Sequence, residues 1–225
     1  QRQMCIRDRS HMLPSMHSSA HHIVEPMDHP VSHRHLRITY SSMIHSDKTF
    51  MGMTTSCRNA EDVLDMCAIL FGEDYLETHP VVVGNCNGNS PLVWDETMLS
   101  AMRAFNRRNQ PVLCSPFVLG GANTPASTVP TVAQLNAEAL SALAYTQIIR
   151  KGCPAIYGHY LSTISMQSGA PMAGTPEISL MNFMIGQMAR HYNVPWRTSN
   201  TLGGAKTLDA QAGYESATCL LYTSD

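Results

Sequence analysis

The sequence carries little charge of either sign and no long apolar run. Only 14% of its 225 residues are charged, and 15 basic residues stand against 17 acidic ones, for a formal net charge of −2. Because its charges are so balanced, we expect no basic patch of the kind that binds nucleic acids or anionic membranes. No stretch approaches the roughly 18 consecutive apolar residues of a membrane span. We therefore expect a soluble protein that binds neither nucleic acid nor membrane.

Several motifs are absent as well. No Cys-x-x-Cys occurs among the seven cysteines, so neither a cysteine zinc site nor a disulfide framework is indicated, and a reduced, cytoplasmic protein is expected. Histidines are concentrated between His11 and His45, but their irregular spacing includes no His-Glu-x-x-His, and we expect no metal site. The absence of a Gly-x-Gly-x-x-Gly turn after any predicted strand weighs against a dinucleotide-binding fold.

Both termini are predicted to be foreign to the protein. Residues 4–9 and 219–224 match translations of a common transposase sequencing adapter and of its reverse complement. We therefore expect residues 1–9 and 219–225 to be adapter-derived. Residues 10–218 are then expected to be an internal fragment, cut at both ends, so the lack of a signal peptide at residue 1 carries no information about secretion.

Short apolar runs alternate with helical patterns along most of the chain. Strands are predicted at 36–40, 48–53, 81–83, 111–117, 154–158 and 194–198, and helices at 58–70, 96–108, 131–150 and 175–191. This alternation is typical of an all-parallel α/β fold. A doubly wound sheet and a closed barrel both satisfy it. Long polar loops after the strands favour the barrel, so we predict a truncated (β/α)8 barrel with roughly five of its units present.

The strand at 154–158 leads into the most polar loop, residues 159–169. Polar groups at the carboxyl end of a parallel strand are where α/β sites form. His159 directly follows this buried strand and Gly158, so it is a candidate for contact with substrate.

Two acidic residues stand at predicted helix starts. Glu177 follows Thr175-Pro176, so it is either a first-turn acid that answers the helix dipole or a catalytic group. Asp95 precedes the helix at 96–108 and is expected to cap it.

Four loops that follow strands are expected to meet at one rim. They carry amides, hydroxyls and aromatic rings but few charges, which suits a neutral or cationic ligand better than a phosphate. Because ring faces attract quaternary ammonium groups, we predict an aromatic cage. Its candidate residues and neighbouring amides are Trp94, Phe117, Tyr157, Tyr160, Trp196, Asn87 and Gln167. For Phe117 and Tyr157, filling the barrel interior is an equally open role. Lys206 is a Schiff-base lysine, a carboxylate anchor or a solvated loop residue.

Long motifs in order resemble the trimethylamine methyltransferase family. They are NCNGNSPLVWDETML at 85–99, RNQPVLCSPFVLGGANTP at 108–125, LNAEALSALAYTQIIRKGCPAIYG at 135–158, SMQSGAPMAGTPE at 165–177 and LDAQAGYESA at 208–217. Members are (β/α)8-barrel enzymes of methanogenesis and one-carbon metabolism that move a methyl group from a methylated amine to the Co(I) corrinoid of a small partner protein. The archaeal trimethylamine enzymes carry pyrrolysine, and relatives without it act on glycine betaine and similar quaternary amines.

The resemblance implies a methylated-amine substrate, a cognate corrinoid protein as partner, and no cofactor bound directly by this chain. Whether the protein forms a homo-oligomer is left open. Glu177 and His159 are the candidate catalytic residues. We favour a quaternary amine with a carboxylate, with Tyr157 and Tyr160 near the ammonium and His159 or Lys206 near the acid. Arg197 is a further cationic group. Two other classes stay open: a Schiff-base lyase or aldolase barrel that uses Lys206 or Lys151, and a non-catalytic quaternary-amine binding protein.

Overall fold

A computed structural model of the chain describes residues 18–19, 26–198 and 203–221. Its helices are α1 (Val31–His45), α2 (Cys57–Phe71), α3 (Glu73–Thr78), α4 (Glu96–Arg107), α5 (Thr128–Ile149), α6 (Pro176–Tyr192) and α7 (Ala210–Leu221). Its strands are β1 (Ser18–Ser19), β2 (Thr49–Gly52), β3 (Val82–Gly88), β4 (Val112–Gly120), β5 (Ala155–Gly158), β6 (Tyr160–Ile164), β7 (Pro171–Met172) and β8 (Trp196–Arg197). Strands and helices thus alternate, and the predicted α/β class is confirmed.

The chain forms two compact units. The first contains the described residues up to 86 together with 96–113 and 146–154, and the second contains 87–95, 114–145 and the described residues from 155 onward. The strands β3 and β4 and the helix α5 each begin in one unit and end in the other.

The first unit is built on the parallel strands β1, β2 and β3, paired in that order. Gly52 of β2 stands opposite Gly84 of β3, and the Phe105 ring of α4 lies against both glycines. A Cβ at Gly52 would come within 2.8 Å of that ring, and one at Gly84 within 3.0 Å. The two glycines therefore let a helix bring an aromatic side chain directly onto the strand backbones.

The second unit holds the rest of β4, which neighbours β5, and β5 pairs with β8 in parallel. After His159 the chain continues as β6, which pairs in parallel with the end of β4. The core lies between these strands and helices α5 and α6. Its buried residues are Val118, Val132, Leu135, Ala139, Tyr157, Leu161, Ile178, Met181, Ile185 and Ala189.

Two expectations about the strands are wrong. Residues 36–40 belong to α1, because the buried residues His35, Ile38, Thr39 and Ser42 recur at helical spacing and this packing overrides the strand propensity of Ile and Thr. The sheet is also not entirely parallel, since β7 turns back to pair antiparallel with β6.

The predicted loops after the strands are too long. Residues 84–88 and 118–120 continue β3 and β4, residues 160–164 form the separate strand β6, and α3 is an additional helix. These strand residues were not predicted, because polar and small residues such as Asn87 and Ser162 are typical of loops. Strand pairing nevertheless satisfies their backbone groups regardless of side-chain type. Within the described residues, no helix has both the length and the apolar character needed to cross a membrane.

Adding a methyl group at the glycine pair should destabilise the protein. We expect Gly52→Ala and Gly84→Ala each to lower the free energy of unfolding by about 1–3 kcal/mol, because the ring of Phe105 must shift out of a filled core. Urea denaturation measures this change. The matched control is Gly213→Ala in α7, where nothing lies within 4 Å of the added Cβ. That change should be neutral or stabilise by up to about 1 kcal/mol. Unchanged stability in both paired-glycine variants would contradict the packing of Phe105.

Candidate functional site

The side chains of β4 and β6 divide between two faces of the sheet. Val118 and Leu161 pack in the core against α5 and α6. Because successive side chains of a strand point to opposite faces, Phe117 and Tyr160 lie on the face away from these helices. The parallel register sets Phe117 directly opposite Tyr160.

Phe117 and Tyr160 form a stacked aromatic pair. Their ring centroids are 4.7 Å apart and their planes differ by 10°. Phe117 is 41% exposed although it lies inside a strand, and Tyr160 is half-buried. An aromatic surface that is partly open to solvent attracts cationic ligands through the negative faces of its rings.

Arg197 lies on the same face of the sheet as this aromatic pair. Its strand, β8, pairs with β5 so that Gly158 stands opposite Arg197. The preceding Trp196 points the other way and packs against the helix core, with its ring near Gly186 of α6. Partial burial lowers the pKa of the Arg197 guanidinium. This face therefore combines two rings with one guanidinium.

Tyr157 and His159 are both fully buried, and Tyr157 packs in the core against α5 and α6. The Tyr157 hydroxyl donates a 2.9 Å hydrogen bond to Asn136 Oδ1, and Asn136 Nδ2 donates a 3.0 Å bond to the Tyr192 hydroxyl. Burial, and secondly the charge of Arg197, lowers the pKa of His159 to about 3, so the imidazole is neutral at physiological pH. Tyr157 and Tyr160, predicted to act together, therefore face opposite sides.

Glu177 borders a cavity of about 250 Å³ at the end of β4 and β6. It is exposed at the start of α6 and is the one charged residue among the described residues that line the cavity, which are otherwise mainly threonines and methionines. Thr175 occupies the predicted N-cap position, but its side chain makes no capping hydrogen bond there. Glu177 thus places a carboxylate at the carboxyl ends of the strands.

The loop between β3 and α4 is held by a residue that sequence reasoning missed. Glu138 of α5 is 2% exposed, and its carboxylate accepts hydrogen bonds from Ser90, Leu92 and Gln134. Its backbone carbonyl accepts a 3.3 Å bond from the Trp94 indole. The one available signal was an acid in an otherwise apolar helix segment, LNAEALSALA.

The remaining candidates are exposed or half-buried. Asn87, Gln167 and Lys206 are exposed, and Asp95 accepts a 2.7 Å hydrogen bond from Asn89 just before α4 begins. Residues 199–202, in the fourth predicted loop, lie outside the described residues. Across the described part of the chain, no group of three or more His, Cys, Asp or Glu is placed to hold a metal ion.

The sequence is similar to known proteins of one family. A profile of the trimethylamine methyltransferase family matches residues 6–224. This match extends into both segments predicted to be adapter-derived, whose origin stays a prediction.

Three curated proteins share extended similarity. A glycine betaine methyltransferase of Desulfitobacterium hafniense (strain Y51) is 41% identical over 208 residues, which is 92% of this chain and 43% of that protein. A proline betaine:corrinoid methyltransferase of Eubacterium limosum is 31% identical over 159 residues, or 69% of this chain and 32% of that protein. A trimethylamine methyltransferase of Desulfitobacterium hafniense (strain DSM 10664 / DCB-2) is 29% identical over 171 residues, or 76% and 34%. The chain therefore spans less than half the length of these relatives.

The neutral, buried imidazole of His159 should make stability depend on pH. An unfolded histidine has a pKa of about 6.5, whereas the pKa of His159 is lowered to about 3. Between these values the unfolded chain binds the additional proton. We therefore expect the free energy of unfolding to fall below about pH 6.5, by up to about 1.4 kcal/mol per pH unit, until about pH 3.

Urea denaturation at pH 7 and pH 5, compared with His159→Gln, isolates this contribution. The loss of stability between the two pH values should be smaller in the variant by about 1–2 kcal/mol. Proton NMR of the His159 ring provides a second measurement that does not need the variant. A His159 ring that titrates near its ordinary pKa would show the interpretation to be wrong.

Proposed function

Because the chain belongs to the trimethylamine methyltransferase family, we propose that its protein moves a methyl group from a methylated amine to the Co(I) corrinoid of a partner protein. The stacked, partly exposed pair of Phe117 and Tyr160 carries this proposal. Phe117 lies in the carboxyl half of the parallel strand β4, and α/β enzymes bind their ligands at that end of their strands. We also propose that residues 10–218 form part of a (β/α)8 barrel in a longer protein, in line with the length of the relatives.

The aromatic pair fits the chemistry of the substrate. A quaternary ammonium loses a methyl group and leaves as a neutral amine that keeps the electron pair of the broken carbon–nitrogen bond. Ring faces hold such a cation without adding a buried counter-charge. The Glu177 carboxylate at the neighbouring cavity adds an anionic group, which suits a cationic donor or a protonated tertiary amine.

The corrinoid supplies a cobalt nucleophile when the partner protein delivers it. An acceptor that arrives from outside requires a donor site open to solvent, and the 41% exposure of Phe117 meets this requirement. Within this arrangement the residues of the chain bind the ammonium group and orient one methyl outward.

We further propose that the donor is a betaine, whose carboxylate is anchored by Arg197. The guanidinium lies on the same sheet face as the aromatic pair, so one face offers both a cation site and a carboxylate site. Two of the matched relatives are named for betaines. Lys206, which is exposed, is the second candidate for the carboxylate, whereas His159 is fully buried with a neutral imidazole and so supplies no cationic anchor.

A Schiff-base mechanism finds less support. Lysines that form imines are activated by an apolar pocket or a neighbouring cation, and both Lys206 and Lys151 are exposed. A binding protein without catalysis would share the aromatic pair, so the experiments measure methyl transfer as well as affinity.

Removing either ring should weaken binding of the ammonium group. In the full-length protein that carries this segment, we expect Phe117→Leu and Tyr160→Leu each to raise the Kd for tetramethylammonium about 2- to 30-fold, because a cation–π contact contributes about 0.5–2 kcal/mol. Calorimetry measures the affinity, and cobalt absorbance of the reduced corrinoid protein measures methyl transfer. Phe183→Leu on α6, where the phenylalanine has a similar exposure of 45%, is the control and should change neither. Binding without methyl transfer in the wild type would instead identify a binding protein.

Removing the carboxylate anchor should affect only substrates that have a carboxylate. We expect Arg197→Met to raise the KM for glycine betaine by about tenfold or more, because a charge-assisted hydrogen bond contributes about 1.5–3 kcal/mol. Methyl transfer from tetramethylammonium should stay nearly unchanged. Lys206→Met, assayed in parallel, tests the second cation. Equal losses on both donors would assign Arg197 to the fold or the chemistry, and activity on trimethylamine alone would contradict the betaine proposal.

A further inference from the structure

The buried carboxylate of Glu138 is held mainly by the loop between β3 and α4. It lies on α5, is 2% exposed, and accepts hydrogen bonds from the Ser90 hydroxyl, from Leu92 N at 2.9 Å and from Gln134 Nε2 at 2.9 Å. A buried carboxylate is costly unless such donors satisfy it. Two of its three donors belong to the loop between β3 and α4, so the carboxylate and the loop depend on each other.

This loop adopts a conformation that needs outside support. Leu92 has a φ of 59°, a left-handed conformation that is unfavourable for a residue with a branched side chain. Its amide is the one that donates to Glu138. The turn closes through a 2.8 Å bond from Asn89 N to the Val93 carbonyl, and the Trp94 indole donates to the Glu138 carbonyl. Both the side chain and the backbone of Glu138 therefore hold residues 89–94.

A short chain of hydrogen bonds joins this loop to the aromatic pair. Asn123 Nδ2 donates to the Phe117 carbonyl at 2.9 Å and to the Ser90 carbonyl at 3.4 Å. Gln134 Nε2, which donates to Glu138, also donates to the Asn123 carbonyl at 3.1 Å. The backbone of Phe117 and the Ser90 turn thus share one polar support.

We propose that Glu138 is a positioning residue for binding of the methylated amine: it fixes residues 89–94 beside Phe117 without contacting the substrate. This inference rests on the proposed function, because it assigns the aromatic pair to ammonium binding. If the loop is released from Glu138, Asn123 loses its hydrogen bond to the Ser90 carbonyl. Asn123 then supports the backbone of Phe117 less firmly. The substrate should then bind more weakly, while the chemical step on bound substrate changes little.

The test compares two replacements of Glu138 in the full-length protein. Glu138→Met keeps the length of the side chain but removes both acceptors. Glu138→Gln retains one acceptor for Leu92, and the Ser90 hydroxyl can rotate to accept from the new amide, so it is the conservative rescue. Hydrogen exchange of residues 88–95 reports whether the loop is held. The KM for glycine betaine and the kcat for methyl transfer report the consequence for function.

We expect Glu138→Met to speed exchange at the Leu92 amide at least tenfold and to raise the KM about tenfold, with kcat changed less than threefold. Glu138→Gln should stay within about threefold of the wild type in each measurement. Thr146→Val, which alters another buried polar residue of α5, is the control for a general loss of stability and should leave the KM unchanged. Ser90→Ala weakens the same contact from the loop side and should raise the KM less than Glu138→Met does. It replaces Glu138→Met if that variant fails to fold.

Three results would overturn the inference: faster exchange with an unchanged KM, unchanged exchange, or equal KM changes in Glu138→Met and Thr146→Val. If Ser90→Ala is the variant used, an unchanged KM overturns it as well. A wild-type protein that neither binds nor demethylates any amine would refute the proposed function, and with it the role of Glu138 in binding. Hydrogen exchange would in that case still decide whether Glu138 holds the loop, so the two failures are distinguishable.

Discussion

The parallel pairing of β4 with β6 is the constraint on which the candidate site depends. Its register sets Phe117 opposite Tyr160, and the two-residue period of a strand then sends Val118 and Leu161 to the helix side. A shift of the register by one residue would bury the stacked rings and expose core residues instead. The same alternation in β8 separates Trp196, in the core, from Arg197, on the open face. Binding groups are therefore selected by strand geometry rather than by the loops alone.

Buried polar groups form the second layer of support. Tyr157, Asn136 and Tyr192 make one hydrogen-bonded set behind the sheet, and Glu138, Gln134 and Asn123 make another beneath the rim. Each set joins a strand or loop to a helix, and each satisfies groups whose burial would otherwise be costly. His159 is buried as a neutral imidazole, which avoids the cost of a buried charge. Support of this kind reduces the ordering of side chains and loops that binding of a small ligand would otherwise require.

Sequence reasoning was most successful for elements with a strong local pattern. The helix predicted at 58–70 is Cys57–Phe71, and the one predicted at 131–150 is Thr128–Ile149. It failed where local preference and tertiary packing disagree, as at residues 36–40, which lie in Val31–His45. It also ended strands too early, because residues such as Asn87 and Ser162 resemble loop residues although their backbones are paired. Two of the partners of the Glu138 carboxylate, Ser90 and Leu92, lie more than 40 residues away in the chain, beyond any local pattern.

The sequence by itself determined the α/β class, the helices α2, α4, α5 and α6, and the family, the last through long motifs such as SMQSGAPMAGTPE. It also supplied the set of aromatic and charged residues from which a site is built. Only the tertiary structure decided which of them share a face: Phe117, Tyr160 and Arg197 on one side, Tyr157 and Trp196 on the other. The physical reason is that the side of the sheet to which a side chain points depends on the extent and register of its strand. Hydrogen bonds between distant segments set both, so no single stretch of sequence contains that information.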